Sequence, residues 1–127
     1  MSVLKVILLE AENVPKMDVG GWADPFCFLQ MAGQKEIMRS KTINNTKHPI
    51  WDERFQFRVA NKQHDVLHIL MKDHDSLSAD DEISKLEIPL APLNIGQPVL
   101  HWFPMTPVPG VDARDIRLRM ILELTNQ

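Results

Sequence analysis

Apolar and polar residues alternate along most of this chain. Arg54-Phe55-Gln56-Phe57-Arg58-Val59 and Ile116-Arg117-Leu118-Arg119-Met120 have the period of two that marks a half-buried strand. Similar stretches predict strands over 3–11, 25–31, 35–42, 65–72, 82–88 and 99–104, and the last pattern runs on to 124. No stretch sustains a helical period. Nine prolines and five glycines are scattered rather than clustered, which suits short strands joined by turns. The pattern therefore predicts an all-β protein, an eight-stranded antiparallel β-sandwich forming a single domain over 1–127.

Composition narrows the function classes. With 127 residues, 44% of them hydrophobic, the chain can bury a core without disulfide or metal staples. No apolar run reaches membrane-spanning length, and Met1-Ser2-Val3-Leu4-Lys5 lacks the layout of a signal peptide, so a cytoplasmic protein is expected. The single cysteine, Cys27, excludes an internal disulfide and a multi-cysteine zinc site; in an apolar strand it reads as a small buried side chain. A net charge of −3 leaves no basic excess for a nucleic-acid backbone. No Gly-rich phosphate loop or nucleophile elbow is present, so no enzyme activity is expected.

The acids are the informative residues. Besides Asp80, five aspartates fall in two segments that a sandwich presents as loops: Asp18 and Asp24 in 17–25, and Asp73, Asp75 and Asp81 in 73–81. Asp18 and Asp24 are six apart, as are Asp75 and Asp81. Both loops follow strands, which allows them to meet at one end. Hard cations such as calcium take six to eight oxygen ligands, and five carboxylates with loop carbonyls suffice for one ion, up to two or three. The donor set lacks the nitrogen and sulfur ligands of zinc or copper sites. Each aspartate taken singly also fits an ordinary turn; it is the matched spacing that favours a metal.

At these residues the chain resembles the C2 domain family. Leu4-Lys5-Val6-Ile7-Leu8, Met17-Asp18 and Gly20-Gly21-Trp22-Ala23-Asp24-Pro25-Phe26 are similar to its first strand and first calcium loop. Lys41-Thr42-Ile43, His48-Pro49 and Trp51-Asp52-Glu53 resemble a central segment in which the family usually has Asn-Pro and Asn-Glu. Asp73-His74-Asp75 through Asp81-Glu82-Ile83-Ser84 resembles the third calcium loop, with Ser84 where glycine is typical. The resemblance implies Ca2+ ligands at Asp18, Asp24, Asp73, Asp75 and Asp81, assisted by the backbone carbonyls of Met17 and His74 and by Ser78. Asp80 matches no ligand position and reads as a solvated neighbour. With a strand directly ahead of the first loop and another closing the chain, the strand order resembles the family's type II topology.

The resemblance further implies docking on anionic phospholipid membranes, with Val19, Trp22 and Leu77 at loop tips that enter the interface and the protein becoming peripheral when calcium rises. Trp22 has an alternative, packing against its own loop. Trp51 and Trp102 lie inside strand patterns and are expected in core or edge packing. Arg39, Lys41, Arg54 and Arg58 are candidates for a basic face that holds phosphoinositide head groups, with Ala60 departing from the family's cluster. A calcium-independent protein-interaction scaffold and a metal-dependent hydrolase stand as alternatives from other classes.

Overall fold

The computed structural model describes residues 1–17 and 20–126. Among these, nine strands form two antiparallel sheets: β1 (Ser2–Glu12), β2 (Pro25–Met31), β3 (Met38–Arg39), β4 (Ile50–Val59), β5 (Val66–Asp73), β6 (Asp81–Pro89), β7 (Val99–Pro104), β8 (Thr106–Pro107) and β9 (Arg117–Asn126). One sheet has the order β4-β1-β9-β7 and the other β3-β2-β5-β6-β8. Each of the eight predicted strands has a counterpart, and the two-residue β8 is an addition. The closing strand β9 pairs with β1 along its whole length, as type II topology requires.

Alternation decides which side chains meet between the sheets. Leu4, Val6 and Leu8 on β1 and Leu118, Met120, Leu122 and Leu124 on β9 point inward and are buried. They face Cys27, Leu29 and Met31 on β2 and Leu67, Ile69 and Met71 on β5. Burial pushes the Cys27 thiol far above its usual value, so the residue is an inert part of this core. Ser84 is also buried, its hydroxyl donating to the Met105 sulfur (3.5 Å).

The strand expected over 35–42 contracts to Met38–Arg39. Beyond it the Lys41 amide donates to the Glu53 carboxylate (2.5 Å), and the Lys41 carbonyl accepts from the Trp51 indole (2.9 Å). Residues 40–49 thus cross from one sheet to the other. Backbone bonds lace this crossing to the first strand and first loop: Ala11 N–H to Pro49 O, Val14 N–H to Lys47 O and Thr46 N–H to Ala23 O. That lacing sets 40–49 beside the first loop, at the end of the sandwich where β5 finishes next to the start of β2 and the 74–80 connection begins.

Candidate functional site

A cleft of about 350 Å³ lies between these connections, lined by Trp22, Asp24, Asn45, Asp73, His74 and Asp75 among others. It unites three of the five predicted aspartates. Asp73 ends β5, is buried, and stands directly across the ladder from Asp81, the exposed first residue of β6. Asp18 and Val19 lie outside the described residues.

Hydrogen bonds fix the carboxylates. Asp73 accepts the Asp24 N–H (2.8 Å), and Asp24 in turn accepts the Asn45 N–H (2.6 Å). The Asp24 carbonyl takes the His74 N–H (3.0 Å), tying the first loop to the third. Asp75 accepts the Leu77 N–H and the Ser78 hydroxyl, both at 2.8 Å. These two bonds, the amide chiefly, hold the Asp75 carboxyl below its ordinary value. Met17 is half-buried and packs against the core.

Two residues have larger roles than the sequence suggested. Asp80 is a brace: it accepts the Asp75 N–H (2.8 Å) and lies 3.1 Å from His74 Nδ1. The Asp75 amide chiefly, and the nearby His74 ring, hold its carboxyl below the usual value against the opposing effect of partial burial. Asn45 adopts a positive φ of 53° and links two loops, its side-chain oxygen accepting the Trp22 N–H (2.9 Å). Gly21 makes that approach possible, since a Cβ there would stand 3.0 Å from the same oxygen. An asparagine outside the acidic segments has only its tolerance of left-handed backbone as a sequence signal.

Around the cleft the loop tips expose apolar surface. Leu77 is 95% exposed and Trp22 41% exposed. The Trp22 ring carries Lys16 Nζ at 4.7 Å and Lys47 Nζ at 5.1 Å from its centroid. Trp51, by contrast, is a core residue, and Trp102 sits on the β7 edge beneath the Arg117 and Arg119 guanidinium groups.

The four basic candidates do not share one face. Arg39 pairs with Phe28 on the outer side of the five-stranded sheet, where its guanidinium stacks 3.9 Å from the Phe26 ring. Lys41 follows beyond the end of β3. Arg54 and Arg58 alternate with the inward Phe57 and Val59 on β4, so they lie on the outer side of the other sheet. Strands β3 and β4 are consecutive in the chain but are edge strands of different sheets.

Comparison with known proteins agrees with this architecture. The sequence profile of the C2 domain matches residues 2–105. Human cytosolic phospholipase A2 delta is 31% identical over 120 residues, covering 92% of this chain and 14% of that protein. Synaptotagmin-5 of Arabidopsis thaliana is 29% identical over 104 residues, covering 82% of this chain and 18% of that protein. The chain therefore spans less than a fifth of either relative's length. A solved C2 domain of plant extended synaptotagmin 1 has the same fold, with a TM-score of 0.90 at 18% identity over 98% of this chain and 95% of that one.

Proposed function

We propose that this chain, which belongs to the C2 domain family, docks on anionic phospholipid membranes when calcium occupies the acidic cleft between its loops. One observation carries this: buried Asp73 opposes Asp81 across the β5–β6 ladder while accepting the backbone of a third aspartate, Asp24. Like charges directly opposed on neighbouring strands destabilise a sheet. A divalent cation reverses that repulsion.

The donors are all hard oxygens, as calcium prefers. Asp18, Asp24, Asp73, Asp75 and Asp81 would hold the ion, with the Met17 and His74 carbonyls and the Ser78 hydroxyl assisting. Among the described residues no three acidic or imidazole side chains already converge tightly enough to hold an ion. Asp75, whose carboxylate also accepts from Leu77 and Ser78, would join Asp24 and Asp73 around the ion. Once the cleft is neutralised, it no longer repels anionic lipid, and Val19, Trp22 and Leu77 enter the interface. A phospholipase A2 among the relatives supports a phospholipid surface as the target. Arg39 and Lys41 supply a second contact, with phosphoinositide head groups, while Arg54 and Arg58 face away from it. The role is binding rather than turnover, by a cytoplasmic protein that becomes peripheral when calcium rises.

Sedimentation with phosphatidylserine-containing vesicles, in calcium and in chelator, tests this. Much stronger binding in calcium than in chelator is expected, with Asp75→Asn folded but shifted to higher calcium. Equal sedimentation in both conditions overturns the calcium dependence and favours a constitutive interaction scaffold.

A further inference from the structure

The two lysines over Trp22 are unusual for their setting. Both are exposed and lie beside a cleft rich in carboxylates, yet among the described residues neither makes an ion pair. Their ammonium groups stand over an exposed indole instead. Among the described residues, nearby carboxylates accept other hydrogen bonds: Asp24 from the Asn45 amide, Asp75 from Leu77 and Ser78, and Asp80 from the Asp75 amide. An ammonium has three N–H donors, and a ring face engages it without using all of them. An ammonium engaged in this way can still donate to oxygen acceptors arriving from solvent.

We propose that Lys16 and Lys47, held over the Trp22 ring, form a metal-independent contact for the phosphodiester groups of an anionic lipid surface, beside the acidic cleft and not through it. This deepens the membrane function proposed above and rests on it. Charge complementarity selects an anion. The apolar surroundings select a bilayer over a soluble phosphate or an acidic protein segment, because Trp22 and Leu77 are exposed at the same end and only an interface takes up both. The ring has two effects on the lysines: it holds both ammonium groups beside one exposed indole, and it places them where indole and phosphate arrive together.

The arrangement makes two effects run in opposite directions. Positive charge beside the cleft opposes a metal cation, so removing it leaves soluble calcium affinity unchanged or tightens it. The same removal weakens docking on anionic lipid. A purely structural role for the lysines would weaken both or neither.

The test compares the full chain with the Lys16→Gln/Lys47→Gln and Lys16→Arg/Lys47→Arg variants. Each is titrated with calcium in solution, then with vesicles of phosphatidylcholine alone or with phosphatidylserine, in calcium and in chelator. At low salt the glutamine variant is expected to bind phosphatidylserine vesicles roughly thirtyfold more weakly, from about fivefold per surface charge. The arginine variant restores binding, the loss shrinks as salt rises, and soluble calcium affinity does not fall. In chelator the parent retains weak binding to phosphatidylserine vesicles, which the glutamine variant loses. Parent-like vesicle binding by the glutamine variant in both conditions overturns the contact, as does an equal loss on phosphatidylcholine alone. Inorganic phosphate that competes at concentrations matching the lipid overturns the bilayer as occupant. A lysine effect that persists without any calcium dependence overturns the calcium function and leaves this contact standing. Intact calcium dependence without a lysine effect overturns this contact alone.

Discussion

Asp73 and Asp81 stand directly opposite each other at the open end of the β5–β6 ladder, the first buried and the second exposed. Replacing the exposed partner, Asp81→Asn, should raise metal-free stability by about 0.2–1 kcal/mol, since one of two opposed like charges is removed. The same change should reduce the rise in melting temperature on adding calcium. Thermal melts in chelator and in calcium read both effects, which have opposite signs.

Binding to the folded state alone stabilises it. Calcium at about a hundred times its dissociation constant should add roughly 2.7 kcal/mol. Magnesium should add much less, because it demands a small octahedral shell and sheds water reluctantly. A melting temperature indifferent to millimolar calcium would count against the cleft as a calcium site.

Asn45 combines a left-handed backbone with a side-chain bond to Trp22 N–H. Asn45→Gly keeps the backbone but loses the bond, at a cost of about 1 kcal/mol. Asn45→Ala loses both, and should cost about 1 kcal/mol more. Urea unfolding midpoints that rank parent, glycine and alanine in that order confirm the two contributions. Equal midpoints for glycine and alanine would show that the backbone angle carries no strain.

Glu10 accepts the His48 ring N–H (2.6 Å) and the Arg119 guanidinium (3.1 Å). The His48 bond chiefly, against the opposing effect of partial burial, and then Arg119 hold the Glu10 carboxyl below its ordinary value of 4.5. A depressed carboxylate stabilises the fold fully above that value and loses its contribution as pH falls through the lower, folded one. Glu10→Gln should therefore cost about 1 kcal/mol or less at neutral pH. The gap from the parent should close as pH is lowered below 4.5, which urea midpoints across the acid range would show.

Much of the fold was legible because alternation is a local property. Arg54-Phe55-Gln56-Phe57 announces its strand whatever the partner, and the inward Phe57 meets Leu4 where the pattern requires. Strand ends were less legible: Lys41 leaves the ladder because a glutamate twelve residues later captures its amide. The pair Thr106–Pro107 becomes β8 only through contact with Ser84 and Lys85, which no local pattern records. At the site, the spacing of the aspartates marked the carboxylates, but the bracing by Asp80 and Asn45 depends on where three loops meet. The basic residues misled for a related reason. No local pattern records that the crossing at 40–49 puts Arg39 on one sheet and Arg54 and Arg58 on the other.

The lacing of that crossing to the first loop bears on how this end of the molecule breathes. Val14 N–H to Lys47 O, Thr46 N–H to Ala23 O and Asn45 N–H to Asp24 join two segments that have no strand of their own. Neither can swing open without breaking bonds to the other, so they form one cooperative opening unit. Their amides should exchange with solvent deuterium at a shared rate. A ligand that restrains either segment slows exchange in both, so protection at Val14 and Thr46 reports occupancy at a cleft that neither residue lines.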